Sequence, residues 1–137
     1  MATWLLKSEP STWSWAQQVE AGAKGTAWDG VRNHGAKRHL MAMREGEEAL
    51  FYHSGDGKAV MGVVTVTRAF YPDPSDPKGQ FGMVDVRAKD TFPSPVTLAA
   101  IKGEPRLAQM VLVRNSRLSV QPVTPEEWDL VLMMGRS

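Results

Sequence analysis

The sequence contains no cysteine, so disulfide bonds, zinc–thiolate sites, iron–sulfur clusters and thiol catalysis are excluded. It also has no apolar run long enough to span a membrane, and its first apolar residues are too few for a signal peptide. Eight methionines without any cysteine are typical of a reducing compartment. These absences predict a cytoplasmic protein with no membrane partner.

The chain also has little net charge, because 16 basic residues nearly balance 15 acidic ones and leave a formal charge of +1. A protein that binds nucleic acid through bulk charge is usually far more basic, so any such contact must use a local patch. Two stretches without acidic residues, 30–44 and 105–125, are such patches. On charge alone they are either ordinary solvated faces or a rim that contacts phosphates.

The length of 137 residues fits one domain covering residues 1–137. An apolar first strand at 4–6, a hairpin formed by 49–53 and 59–66, and an alternating strand at 83–89 are separated by helical patterns at 14–21, 32–43 and 124–134. Residues 106–113 fit a helical turn or a strand, and 116–120 alternate weakly as a strand. With no repeating βαβ unit, the pattern predicts an α+β fold with a curled, barrel-like sheet and short flanking helices.

No residue set in the sequence predicts catalysis, a metal or a cofactor. His53, Ser54 and Asp56 are close in sequence, but neighbouring residues of a strand point to opposite faces, which opposes a catalytic triad. His34 and His39 are five residues apart, so they do not share one face of a helix as paired metal ligands would. The glycines at 55 and 57 do not open a helix and therefore do not form a phosphate-binding loop.

Five tryptophans are many for this length. Trp4 and Trp128 lie in apolar surroundings typical of a core, and Trp13 and Trp15 point to different faces of a short helix. Trp28 lies in a turn beside the basic stretch 30–44. By position alone, Trp28 fits a buried core residue and a base-stacking platform equally well. The neighbouring basic residues favour the stacking role, and in that case its removal should have little effect on stability.

Four separated segments resemble the EVE domain family in order along the chain. They are residues 7–10 (Lys-Ser-Glu-Pro), 28–33 (Trp-Asp-Gly-Val-Arg-Asn), 50–54 (Leu-Phe-Tyr-His-Ser) and 116–123 (Ser-Arg-Leu-Ser-Val-Gln-Pro-Val). The resemblance implies the PUA-like pseudo-barrel of mixed, mostly antiparallel strands that EVE domains share with ASCH and YTH domains. It also implies a monomeric, non-enzymatic module without a cofactor that binds nucleic acid carrying a modified base, with modified cytosine in DNA favoured over RNA.

The resemblance assigns roles to individual residues. The base pocket would comprise Lys7, Ser8, Glu9, Trp28, Asn33, Tyr52, His53, Ser54 and Leu118, and the phosphate contacts would come from Arg32, Lys37, Arg38 and Arg117. Trp28 would stack on the base. His34 and Gly35 depart from the family pattern, which usually has an aromatic and a polar residue there, and this puts the choice of substrate in question.

The chemistry of these residues agrees with a flipped base. Glu9 accepts hydrogen bonds and therefore favours a base with an exocyclic amine, such as cytosine or adenine, over thymine. Lys7 is expected to hold an opposite charge near Glu9 and keep its carboxylate ionised, and the alternative is that Glu9 merely pairs with Lys7 on the surface. Two alternatives remain open from the sequence: a PUA-like RNA-binding module that acts with an RNA-modifying enzyme, and a small hydrolase.

Overall fold

The computed structural model describes residues 2–55 and 57–137. Asp56, considered above for a triad, lies outside the described residues. The strands are β1 (Thr3–Ser8), β2 (Thr26–Ala27), β3 (Glu48–His53), β4 (Ala59–Pro72), β5 (Gly82–Thr97) and β6 (Val120–Val123). The helices are α1 (Trp15–Glu20), α2 (His34–Ala42), α3 (Leu98–Lys102), α4 (Val111–Arg114) and α5 (Pro125–Gly135).

The strands form one mixed sheet in the order β2–β5–β4–β3–β1–β6. β1 and β3 run parallel, and the other neighbouring pairs are antiparallel. Register shifts in the β4–β5 pair mark bulges, which increase the twist of a sheet. Among the described residues the end strands β2 and β6 do not pair with each other, so the sheet is not closed. The predicted α+β class with mostly antiparallel strands is confirmed.

Alternation along the strands builds a core on each face of the sheet. In β3, Phe51 packs with Trp4, Trp15 and Trp28 on the face covered by α1 and α2, whereas Tyr52 packs on the opposite face. That opposite face is covered by α3 and α5 and includes Trp128. The core assignments of Trp4 and Trp128 are confirmed, with 6% and 8% of their surfaces exposed.

The helices α1 and α5 begin at residues that are typical helix caps. Ser14 with Gln17 and Thr124 with Glu127 form capping boxes that begin α1 and α5. In each box the hydroxyl accepts the backbone N–H of the third helical residue, whose side chain accepts the N–H of the cap. Within the described chain, no helix combines the length and the apolar character needed to cross a membrane.

The late segment differs from the sequence prediction. Residues 106–113 contain helical turns and no strand: a 3-10 turn at Pro105–Leu107 is followed, after a short turn, by α4. The strand predicted at 116–120 is wrong, because β6 begins only at Val120, where it pairs with Leu6 of β1. The preceding loop is held instead by Gln121, whose Nε2 donates to the carbonyl oxygen of Leu118 at 2.7 Å.

Candidate functional site

An open pocket of about 500 Å³ lies where β1 ends. Its lining residues come from two segments, the turn after β1 and the segment that begins with β2, and they are Lys7, Ser8, Glu9, Thr12, Trp13, Thr26, Ala27, Trp28 and Asp29. Four of them, Lys7, Ser8, Glu9 and Trp28, are among the residues that the sequence predicts. Of the other five, Asp29 belongs to the motif 28–33, and Thr12, Trp13, Thr26 and Ala27 lie within three residues of the two motifs.

One wall of the pocket is the turn that follows β1. The carbonyl oxygen of Glu9 accepts the N–H groups of Thr12 and Trp13, both at 2.9 Å, and the Ser8 hydroxyl donates to the Trp13 carbonyl oxygen. The Trp13 indole N–H donates to Oε1 of the fully buried Gln18 at 2.9 Å. These bonds hold the Trp13 ring in the wall. The sequence could have indicated Trp13 as a pocket residue, because it follows Pro10 in the turn after the Lys-Ser-Glu motif.

The facing wall carries Trp28, immediately after β2. Its backbone N–H donates to the Val84 carbonyl oxygen of β5 at 2.7 Å, which continues the pairing of β2 with β5. Its ring meets Phe51 edge to face, with centroids 5.5 Å apart and planes at 87°. Only 8% of Trp28 is exposed. The expectation that its removal would barely affect stability is therefore wrong, because Trp28 belongs to the core as well as to the pocket.

Behind Trp28, the buried carboxylate of Asp73 fixes the turn that leads to α2. Its Oδ2 accepts the Gly30 N–H at 2.9 Å and a guanidinium N–H of Arg32 at 3.2 Å, and its Oδ1 accepts the N–H and hydroxyl of Ser75. Burial raises the pKa of Asp73, but these hydrogen bonds outweigh it and lower the pKa to about 2. Asp73 thus stays ionised and joins the Trp28 segment to the loop before β5.

The Asp73 contacts change the role of Arg32. Its guanidinium is bonded to Asp73, to Ser75 and to its neighbouring carbonyl oxygen on Val31. We therefore remove Arg32 from the phosphate set, since a phosphate would have to compete with this ion pair. Arg38 and Arg117 remain exposed.

The other predicted phosphate residue, Lys37, is half-buried. Its Nζ lies 5.7 Å from the centroid of the Phe81 ring. Among the described residues, Lys37, Arg38 and Arg117 form no ion pair with a carboxylate, in contrast to Arg32.

Lys7 reaches away from Glu9. Its Nζ donates to the carbonyl oxygen of Ser116 at 2.7 Å and lies 6.0 Å from the centroid of the Tyr52 ring. In the described part of the chain Lys7 makes no ion pair with Glu9, so the predicted pairing is wrong. Burial lowers the pKa of Lys7, and the positive charge of Lys58 lowers it further.

Glu9 lies against the turn between β3 and β4. A Cβ atom placed on Gly55 would be 2.5 Å from Oε2 of Glu9, and Gly55 has a φ of +73°, so only glycine fits there without strain. Burial lowers the pKa of the nearby His53, and the charge of Glu9 acts in the opposite direction. The Glu9 carboxylate therefore lies between the pocket and this turn.

The predicted wall from β3 does not line the pocket. Tyr52 is 3% exposed and faces the opposite core, and burial raises the pKa of its hydroxyl. His53 accepts the Trp15 N–H on Nε2 at 2.9 Å, and the Ser54 N–H donates to the Ser8 carbonyl oxygen at 2.9 Å. Alternation turns Tyr52 to the opposite core, whereas His53 lies on the side of Phe51 and is engaged by the backbone of α1.

Asn33 and Leu118 also lie outside the pocket lining. The Asn33 side chain caps α2 by accepting the Ala36 N–H at 2.9 Å, and Leu118 packs against the core beside Gly35. His34 stacks at a tilt on Phe81, with centroids 4.9 Å apart. The two departures from the family pattern, His34 and Gly35, thus have contacts outside the pocket.

Neither the triad nor a metal centre is built by the described residues. Residues 2–55 and 57–137 contain no cluster of three or more histidine, aspartate or glutamate side chains that could hold a metal ion. The Nε2 atom of His53 is already an acceptor for the backbone of α1. The residues that line the pocket carry two indole rings, two carboxylates and small hydroxyl groups, while the Lys7 amine is bonded to Ser116 outside the lining.

A family model described as the EVE domain matches residues 2–134. Human thymocyte nuclear protein 1 is 34% identical over 169 residues, which cover 96% of this chain and 72% of the human protein. The NMR structure of Rpa0253 from Rhodopseudomonas palustris is 58% identical, with a TM-score of 0.94 over 98% of this chain and 93% of that one.

Two further structures show ligands in their own proteins. The crystal structure of human THYN1 in complex with DNA containing 5-methylcytosine is 33% identical, with a TM-score of 0.91 over 100% of this chain and 99% of that one. The YTH domain of Zygosaccharomyces rouxii MRB1, in complex with N6-methyladenosine RNA, is 19% identical, with a TM-score of 0.60 over 98% of this chain and 86% of that one. At that identity it shows the shared fold alone.

These comparisons correct one expectation and confirm another. The expectation of a cytoplasmic protein is contradicted, because several relatives carry the name thymocyte nuclear protein 1. The family resemblance found from the four segments is confirmed over nearly the whole chain. The chain belongs to the EVE domain family.

Proposed function

We propose that this protein is a non-enzymatic, single-domain binding module that holds one flipped, modified base of a nucleic acid, most favourably modified cytosine in DNA, between Trp13 and Trp28. The observation that carries the proposal is that residues with two indoles, Trp13 and Trp28, and two carboxylates, Glu9 and Asp29, line one and the same pocket. Support also comes from human THYN1, whose structure is in complex with DNA containing 5-methylcytosine.

The pocket matches the needs of an extruded base. Extrusion costs a few kcal/mol of stacking and pairing, and stacking on an aromatic side chain contributes about 1–3 kcal/mol per base. Glu9 and Asp29 accept hydrogen bonds from an exocyclic amine, which cytosine and adenine have and thymine lacks. Because all of these groups belong to one chain, we propose that a monomer is sufficient.

The modification contributes less binding free energy than the rest of the base does. Burial of one methyl group contributes about 0.8 kcal/mol, which is about a fourfold gain in affinity. A larger preference requires that the unmodified base fits poorly.

The binding test compares oligonucleotides that differ in one base. Cytosine, 5-methylcytosine and thymine are placed at the same position of otherwise identical DNA and RNA strands, and affinity is measured by titration. We expect the order 5-methylcytosine, cytosine, thymine, with DNA above RNA. A protein that binds the three strands equally would contradict a base pocket, and stronger binding to the RNA series would favour the alternative of an RNA-binding module.

Salt dependence tests the phosphate contacts. If Lys37, Arg38 and Arg117 contact three phosphates of a single strand, the slope of log K against log salt should be near −2, from about −0.7 per phosphate. Arg117→Gln should reduce the slope by about 0.7, whereas Lys102→Gln, on α3, should leave it unchanged. A flat response for the wild-type protein would argue against nucleic acid and for a small-molecule ligand.

Replacement of Glu9 by glutamine tests the reading of the base edge. The variant keeps the shape but loses the charged acceptor, so an amine in the pocket is left poorly paired at a cost of about 1–3 kcal/mol, or about fivefold to a hundredfold in affinity for 5-methylcytosine DNA. Glu45→Gln, on an exposed turn, is the matched control. Equal affinities of the wild-type protein and Glu9→Gln would remove Glu9 from the site.

A further inference from the structure

We propose that Gln18 is a positioning residue for base binding, because its buried amide fixes the ring of Trp13 relative to Trp28 on the facing wall. The inference rests on the proposed function and deepens it. Gln18 does not line the pocket. It acts through Trp13, and the preference for a strand that carries a base at the bound position depends on it.

The amide of Gln18 makes two hydrogen bonds, one as acceptor and one as donor. Its Oε1 accepts the indole N–H of Trp13 at 2.9 Å, and its Nε2 donates to the carbonyl oxygen of Val86 in β5 at 3.3 Å. An indole N–H only donates and a carbonyl oxygen only accepts, so a single orientation of the amide satisfies both partners. Gln18 is fully buried, so solvent does not compete for its amide.

Both pocket walls are thereby attached to the same short part of β5. Trp28 is attached directly, since its backbone N–H donates to the Val84 carbonyl oxygen at 2.7 Å. Trp13 is attached through Gln18 to the carbonyl oxygen of Val86, two residues further along the strand. β5 is hydrogen-bonded to β2 on one side and to β4 on the other. This part of the sheet is therefore a common, firmly held reference for both indoles.

The Trp13 ring depends on this bond more than the Trp28 ring does. Trp28 is buried and packs edge to face on Phe51, whereas Trp13 is half-buried and only packs against the edge of that core. Without the bond to Gln18, the ring of Trp13 has to be ordered when the base binds. Ordering one freed side chain lowers affinity by at least about twofold.

The experiment compares two single DNA strands that differ at one position, which carries either 5-methylcytosine or an abasic sugar. Both strands offer the same phosphates, so the ratio of their affinities, measured by titration, reports on the base. The wild-type protein should favour the strand with the base. Gln18→Met keeps the length and apolar stem of the side chain but loses both hydrogen bonds, and it should reduce the ratio by at least about twofold. Urea unfolding identifies a temperature at which the variant is folded.

Gln121→Met is the matched control. Gln121 is also fully buried, and its Nε2 donates to a backbone carbonyl oxygen, that of Leu118, in the loop before β6. The control should lose stability as Gln18→Met does, but it should keep the wild-type ratio of affinities. Equal reductions of the ratio in the two variants would show a general loosening of the fold and would overturn the role of Gln18.

A double-mutant cycle tests whether Gln18 acts through Trp13. Trp13→Phe keeps an aromatic ring and removes the indole N–H, so Gln18→Met should leave the ratio unchanged in that background. If Gln18→Met reduced the ratio equally with and without the indole N–H, its effect would not pass through Trp13 and the inference would be wrong.

Exchange of the Trp13 indole proton with solvent decides the matter even if Gln18→Met does not fold. The NMR signal of this proton is identified by its absence from the spectrum of Trp13→Phe. We expect slow exchange in the free protein and in the complex with the 5-methylcytosine strand, because the bond to Gln18 exists before the base arrives. Exchange as fast as that of free tryptophan would overturn the inference.

Failure of this inference is distinguishable from failure of the proposed function. A wild-type preference for the base-bearing strand that Gln18→Met retains would overturn the role of Gln18 alone. Equal wild-type affinities for the two strands would overturn the base pocket, and the role of Gln18 with it.

Discussion

Replacement of Trp28 by alanine is expected to reduce both affinity and stability strongly. Loss of the stacking surface should weaken binding of 5-methylcytosine DNA by about 1–3 kcal/mol, or about fivefold to a hundredfold. Removal of the ring of this buried residue, which packs against Phe51, should also lower the free energy of unfolding by about 3–5 kcal/mol. Titration and urea unfolding measure the two effects independently.

Trp128→Ala is the matched control for Trp28→Ala. Both tryptophans are 8% exposed, but Trp128 belongs to the core on the opposite face of the sheet. The control should lose similar stability and keep its affinity, measured at a temperature where both variants remain folded. If the two variants lost the same affinity, Trp28 would be a core residue without a direct role in binding.

Acid is expected to destabilise the protein through Asp73. The pKa of this carboxyl is about 2 in the folded protein and 3.8 in its ordinary state. A carboxyl whose pKa is lower in the folded protein stabilises the fold at every pH above its pKa in the unfolded chain. This stabilisation is lost as the pH falls from about 4 through 2. The shift corresponds to about 2 kcal/mol at neutral pH.

Asp73→Asn tests this contribution by urea unfolding at several pH values. The variant should lose about 2 kcal/mol at pH 7 and should show a flatter decline of stability towards acid than the wild-type protein. Asp129→Asn, on the exposed side of α5, should behave as the wild-type protein does. Parallel acid profiles for the wild-type protein and Asp73→Asn would show that the carboxylate does not stabilise the fold.

Local patterns explain why much of the fold could be predicted. Capping boxes act within four residues, so Thr124 was sufficient to place the start of α5, whereas Ser11 and Ser14 were both candidate caps of α1 and the structure has Ser14. Alternation decides which strand residues are buried, so the paired strands β3 and β4 were recognised from their apolar runs and the turn between them. The prediction of a strand at 116–120 was wrong because β6 begins where it pairs with β1, and β1 is remote from it in sequence.

The pocket was only partly predictable, for a physical reason. The sequence by itself determined the family, the α+β class and the two motifs, residues 7–10 and 28–33, that supply Glu9 and Trp28. Only the tertiary structure decided that Trp13 joins them, that Tyr52 faces the other core, and that Arg32 is bonded to Asp73. Pockets and buried ion pairs form between segments far apart in the chain, so the packing of the sheet determines them and no local pattern records them.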